Sequence, residues 1–533
     1  MKDKTVKILD YFFGILLIGQ IGAIIFFNLS DIRYSLDHDA ANAIYYFREM
    51  LKNRTIMLSD WNPTTTLVID TCFMFAAPIF WVVRDIFLAI GIANILMVGL
   101  YIFVISRILI HANVKRVYIW FTLCLVITPY SFGMLDYFNM LFFGITTYSV
   151  KTIVPLLFLL LMQLLGKKTF IKRTEKLEFW TVLIIYTVLL FITTFSSGFY
   201  ASLCGILPII ACMILDIWAD GEKTKKYNKG HLGLIAGSFI IFLFGYILHR
   251  NIFPMGTRTN LLLTKIEDYA TGFRACIAGL FQLFGAVTSE DIKAMSPRGI
   301  VYGLKLGLVI LLLSTFIYNI KSIFSKTDSL NLKKFLSILF LFNFILLLAA
   351  DSRYSSSNTW MEYRYYIVGI VPLILLLGIQ FSEWEAKWNF FQQITLKICA
   401  FLVLTILLIG NNKNVVDRWD RTTYAVELCD YFNTLDIESV FFIDDRDTSY
   451  ICKGIDENHK YGAFMSETQS LDLSMCSYNQ SASGSFYGNR NVLAVIVGNE
   501  LADLIPAEIA VNYEYIGTVR WFNIYFSDEV YFP

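Results

Sequence analysis

The chain has 533 residues, of which 56% are hydrophobic and only 16% charged, against about a quarter charged in soluble domains. A soluble chain of this length would need roughly three or four domains, each with a charged surface, and this composition excludes that. A formal net charge of +1 gives no electrostatic case for a nucleic-acid partner.

From the amino end, apolar blocks alternate with short charged loops. They are Tyr11–Leu29, Ile86–Ser106, Val117–Leu135, Tyr148–Leu165, Phe179–Phe195, Phe199–Leu215, Leu232–His249, Val301–Ile320, Phe335–Ala350, Tyr365–Phe381 and Ile394–Gly410. About 20 apolar residues as helix cross a hydrocarbon core of about 30 Å, where no water satisfies a bare backbone. The blocks therefore predict an all-α polytopic membrane protein of about eleven transmembrane helices. No small-residue cleavage site follows the first block, which reads as a retained anchor.

A further block, Leu67–Val83, decides the topology, because every later loop changes sides if it spans. Lys and Arg gather on the cytoplasmic side of short loops. With Leu67–Val83 not spanning, one side receives Lys2, Lys4 and Lys7, then Arg107, Lys115 and Arg116. The same side receives the basic runs Lys167–Lys176, Lys223–Lys229 and Lys321–Lys334. That side is assigned to the cytoplasm of a multi-pass plasma-membrane protein. Leu67–Val83, with Asp70 and Pro78, is expected to lie in the interface or to re-enter from outside. Ser30–Asp85, Arg250–Ile300, Asp351–Arg364 and everything after Asn411 then lie outside.

The tail, 411–533, has no spanning block. It predicts a polar helix around Tyr424–Leu435, strands Ser439–Ile443 and Val492–Val497, and a hairpin Tyr513–Phe526. This reads as a soluble extracytoplasmic α/β domain of about 110–120 residues, following a membrane domain over 1–410. Nine cysteines show no CxxC spacing. Six lie in or beside apolar blocks, while Cys429, Cys452 and Cys476 sit in the tail and leave room for one disulfide among three candidates.

The first outer loop carries the chemistry. Asp37 and Asp39 stand about one turn beyond the membrane edge. From Asp39 an interfacial helix is expected, with Ile44, Phe47 and Leu51 opposite Arg48, Lys52 and Arg54. A carboxylate there is placed to take a proton from an acceptor whose partner is anchored in lipid. The alternative is that Asp39 only caps the helix. Asp37-His38-Asp39 is formally a DxD run, the one candidate for a divalent metal, although carboxylates one residue apart on an extended segment point to opposite faces. His38 has no partner at ligand spacing.

The stretch "DAANAIYYFREM", Asp39–Met50, resembles the first outer loop of the GT-C superfamily of membrane glycosyltransferases, such as lipid A aminoarabinose transferases and protein O-mannosyltransferases. Its leading Asp and closing Arg-Glu-Met match the family's "DE..Y...AREM". "NPTTTLVID", Asn62–Asp70, falls where the family begins a second surface helix, and Val82–Ile108 falls where it has an Arg entering the next span. Ala40 stands where a second acidic residue or Gly is common, and Asp37-His38 precedes the motif, so Asp37 and Asp39 both remain candidates.

The resemblance implies a polyprenyl-phosphate-linked sugar donor, a glycan, lipid or protein acceptor, and inverting transfer with the acidic residue as base. It also implies a second acidic residue in the next outer loop, for which Asp136 is the match. A lipid-phosphate donor needs cations near the outer surface. Lys151, Arg258 and Arg364 are the candidates, and Arg364 resembles the Arg before a late span in many members. The rival functions are a carrier or flippase for a lipid-linked or polar solute, and a lipid-linked polysaccharide polymerase or ligase. A secondary transporter would show ionisable residues at the bilayer midplane, whereas the spans here are expected to hold almost no buried charge. The absence of a glycine-rich phosphate loop argues against a nucleotide-driven pump.

Overall fold

A computed structural model describes residues 2–58, 61–62, 67–131, 137–166, 173–198, 200–220, 227, 229–252, 263–287, 291–324, 331–350, 363–472, 477–478 and 489–532. Among them, nine helices are long and apolar enough to cross a membrane. These are Ile8–Leu29, Ile86–His111, Ser149–Gly166, Thr174–Ser197, Lys229–Asn251, Pro297–Ile323, Leu332–Ala349, Arg364–Glu385 and Phe390–Asp417. The chain is a multi-pass membrane protein. The two other apolar blocks of the expected eleven appear as the shorter helices Arg116–Val126 and Ser202–Ile217. The topology-deciding block forms an 11-residue helix, Phe73–Val83. At about 1.5 Å per residue this covers about half of the hydrocarbon thickness.

The chain divides into two compact units. The first comprises Met1–Asn28, Val68–Phe75 and Ile92–Val415. Its central helices are α1 (Ser149–Gly166) and α2 (Ile367–Glu385), in which nearly every residue is buried. The helix Lys229–Ile252 instead exposes Phe239, Ile240, Leu243 and Phe244, an apolar face suited to lipid. Pro155 of α1 meets a single π-helical turn at Ser202–Ile206. A Cβ at Gly205 would stand 2.4 Å from the Pro155 ring, so this crossing requires glycine.

Buried charge in this unit is commoner than the sequence implied. Lys397 lies 2.9 Å from Glu385 and 2.6 Å from Asp10, Lys334 pairs with Asp216, and Lys305 is 1% exposed. Apart from Lys305, these groups sit near helix ends, where hydropathy windows dilute them, and each meets an opposite charge.

The second unit comprises Leu29–Leu67, Ala76–Gly91 and Val416–Pro533. It therefore joins the first-loop residues to the tail, whereas a boundary at 410 assigns that loop to the membrane domain. Its sheet has strands β1 (Ser439–Ile443), β2 (Lys460–Met465), β3 (Ser470–Leu471), β4 (Arg490–Val497), β5 (Glu514–Val519) and β6 (Phe522–Glu529), in spatial order β3-β2-β1-β4-β6-β5. The central β1 runs parallel to β2 and β4, and the other pairs are antiparallel. A strand covered on both faces reads as a continuous apolar run, and β1, SVFFI, is buried at all five positions. Val440 and Phe442 face one core, with α3 (Thr423–Phe432), α4 (Arg446–Ile455) and Ala41. Phe441 and Ile443 face the other, with Leu501, Ile505 and Phe532. Cys429 and Cys452 are free thiols in the first of these cores, and Cys476 lies outside the described residues.

Candidate active site

The first-loop helix, α5 (His38–Asn53), begins at Asp37 and ends at Arg54, which takes a left-handed conformation with φ 52°. Asp37, not Asp39, is its N-cap: one carboxylate oxygen accepts the Ala40 N–H at 2.7 Å. The other oxygen stands 3.8 Å from the Arg421 guanidinium. Burial raises the Asp37 carboxyl above its ordinary pKa, while the Arg421 charge and the Ala40 N–H pull against it. Asp39, in the first turn, keeps its side chain 45% exposed, with His38 Nε2 at 3.5 Å. The two carboxylates that the sequence left as rivals therefore occupy different situations. One is built into the backbone of the turn; the other faces outward from it.

This assignment also bears on a metal. Within the Asp37-His38-Asp39 run, Asp37 already serves a backbone N–H and faces a guanidinium, which leaves it fewer lone pairs to offer a cation. Among the described residues no group of three His, Cys, Asp or Glu side chains is arranged to hold one.

The expected one-faced interfacial helix is corrected by the structure. Ala40–Ile44, Tyr46 and Phe47 are all buried, and α4 packs along α5. Two small residues allow it: a Cβ at Gly454 would stand 2.6 Å from the Ala41 carbonyl oxygen. Arg48, expected on the outward face, instead donates to the Gly454 and Asp456 carbonyls at 2.8 Å each. These are carbonyls at the C-terminal end of α4, where a cation is favoured.

In the first unit, Lys151 and Arg364 come onto one cluster of tyrosines. The rings of Tyr148, Tyr200 and Tyr365 lie 5.9–6.5 Å apart, centroid to centroid. Lys151 Nζ sits 5.6 Å from the Tyr148 ring, and the Arg364 guanidinium 5.6 Å from that of Tyr365. Arg258 and Asp136 lie outside the described residues.

Lys151 is 4% exposed and bonded to Asp70, whose carboxylate is 2.9 Å away, and to the Thr147 carbonyl at 2.8 Å. Three hydroxyls complete the Asp70 cage: Thr193 at 3.0 Å, and Ser196 and Ser197 at 2.7 Å each. In the sequence Asp70 stands out only as a charge within the apolar block Leu67–Val83. Its partners were nevertheless legible, since Thr193, Ser196 and Ser197 share one helix face at i, i+3 and i+4.

No protein-family model and no curated protein matches the sequence. Among solved structures, the chain is similar to ArnT from Cupriavidus metallidurans bound to undecaprenyl phosphate, with TM-score 0.53 and 9% identity. That likeness covers 96% of this chain and 97% of the other. The apo state of the same protein gives TM-score 0.51 over the same shares, again at 9% identity. The chain therefore shares the fold of that protein, the GT-C fold that the first-loop resemblance implies.

Proposed function

We propose that the chain is an inverting glycosyltransferase that moves a sugar from a polyprenyl-phosphate donor to a glycan, lipid or protein acceptor on the outer face of the membrane. The observation that carries this reading is the division of labour at the start of α5, where a buried Asp37 caps the helix and a half-exposed Asp39 stands beside it. Asp39 takes the proton of the acceptor hydroxyl as its oxygen attacks the anomeric carbon. The bond from that carbon to the phosphate oxygen breaks, and polyprenyl phosphate leaves with the electron pair. The bound lipid phosphate named for the structural neighbour supports the donor class.

Arg364 and Lys151, on the tyrosine cluster, are assigned to the departing phosphate. Their weights differ. The Lys151 charge is balanced by Asp70, so it orients more than it attracts, and Arg364 contributes from the start of the late span. Asp136 is retained as the second acidic residue and Arg258 as a further phosphate contact. The N-terminus is assigned to the cytoplasm and the sheet-bearing tail to the outside.

Deleting the gene and extracting the lipids tests the reading. A lipid-linked sugar should accumulate and disappear when the wild-type chain is restored. The reading fails if no such lipid accumulates and vesicles carrying the chain instead move a labelled polar solute, which is the carrier's signature.

A further inference from the structure

We infer that the C-terminal sheet domain is the platform that sets the position and rotation of α5, with Arg421 and Thr422 as a clasp on the segment before Asp37. This deepens the glycosyltransferase reading and rests on it. Four successive backbone groups are held by two neighbouring residues. The Thr422 hydroxyl donates to the Arg33 carbonyl at 2.6 Å and accepts the Leu36 N–H at 3.3 Å. The Thr422 N–H donates to the Tyr34 carbonyl at 3.1 Å, and Arg421 Nη2 to the Ser35 carbonyl at 2.9 Å. Thr422 is itself 2% exposed, so water does not compete for these bonds. The next residue is the cap, Asp37, which faces Arg421.

Beyond the cap, α4 takes hold of one stripe of α5. Ala41, Tyr45 and Arg48, at i, i+4 and i+7, meet the Gly454 backbone, the Lys453 ammonium at 4.2 Å from the Tyr45 ring centroid, and the last carbonyls of α4. A helix held along one stripe cannot rotate. Each residue turns the next side chain by about 100°, so fixing that stripe fixes the direction of Asp39. Arg421 and Thr422 are positioning residues: Thr422 acts on the carboxylates through the backbone, and Arg421 acts both through the Ser35 carbonyl and directly on Asp37.

The test uses the full chain in lipid nanodiscs, with Thr422→Val, which keeps the shape but loses the hydroxyl, and Thr422→Ser, which keeps the hydroxyl. Hydrogen exchange over residues 33–50 is read without substrate, and kcat and KM for the lipid donor are read separately. Thr422→Val should speed exchange at 33–41 by about tenfold or more. It should lower kcat by about tenfold or more with KM within about twofold, because a misplaced base slows chemistry rather than donor binding. Thr422→Ser should restore both. Gly454→Ala, which forces α4 away from Ala41, should act in the same direction and serves if Thr422→Val does not fold. Unchanged exchange in both variants overturns the clasp, and faster exchange with unchanged kcat overturns its role in positioning. A wild-type chain without transfer activity would sink the parent reading, a result kept distinct because exchange is measured without turnover.

Discussion

Asp70 and Lys151 form an ion pair of 2.9 Å in which both side chains are buried, the carboxylate completely. Three hydroxyls satisfy the remaining acceptor sites of Asp70, so the pair meets the condition under which buried charge is tolerated. Removing one partner strands the other. Asp70→Asn should cost about 3–5 kcal/mol, visible as a large fall in Tm in detergent. The double variant Asp70→Leu with Lys151→Met leaves no lone charge and should recover much of that stability. If the double variant is as unstable as the single one, the site is held by shape rather than by charge balance.

Arg364 should behave differently from Lys151, because it lies over Tyr365 at the start of a span, whereas Lys151 is held in a buried pair with Asp70. Arg364→Ala should weaken binding of polyprenyl phosphate by about 1.5–3 kcal/mol, the range of one charge-assisted contact. Titration of the purified chain with that lipid measures it. Unchanged affinity with a collapsed Tm would make Arg364 a structural anchor only.

Asp37 supplies a pH signature. Its folded pKa is raised, mainly by burial, so ionising it works against the fold. Below the ordinary carboxylate pKa of about 3.9 the group is neutral folded or unfolded, and its stabilising protonation is fully present. That contribution is lost as pH rises from there through the raised folded value. Asn caps a helix as well as Asp does but carries no charge. The Tm of Asp37→Asn minus that of the wild type should therefore be positive at neutral pH and shrink toward zero near pH 4. A difference that grows on acidification would mean that the Arg421 attraction outweighs burial.

How much of this was legible varies by element, and for physical reasons. The run SVFFI announced β1 to the residue, because a strand buried on both faces advertises itself by composition alone. The hairpin and the polar helix after the last span were likewise readable from local pattern. The helix α4, RDTSYICKGI, was not, since its sequence is mostly polar and its stability comes from the Asp445 cap and from packing on Ala41. Helical spacing puts Arg48 on the outward face for the same reason: periodicity shows which residues share a stripe, but not what another part of the chain lays across it. Asp37 and Asp39 could be separated only once the turn geometry showed which of them reaches the Ala40 N–H.

Membrane orientation follows from loop charge and is tested directly. Reporter fusions placed after Lys176 and after Asp420 should report opposite sides, the first cytoplasmic and the second outside. A same-side result would mean that a helix has been miscounted between them, with the short apolar segment Ser202–Ile217 the first to re-examine.

The carboxylate assignment gives the sharpest expectation. Because the cap belongs to Asp37, Asp39→Asn does not remove the Asp37–Ala40 capping bond and leaves a group of the same size in a half-exposed position. Expression, membrane insertion and Tm should therefore match the wild type. An amide cannot accept the acceptor's proton, so sugar transfer should fall by about 10²–10⁴-fold or more. Asp37→Asn keeps the cap and should retain most of the activity. The reverse outcome, with Asp39→Asn active and Asp37→Asn dead, would move the base to the buried carboxylate and give its raised pKa a catalytic meaning. Full transfer by both variants would remove this loop from the chemistry altogether.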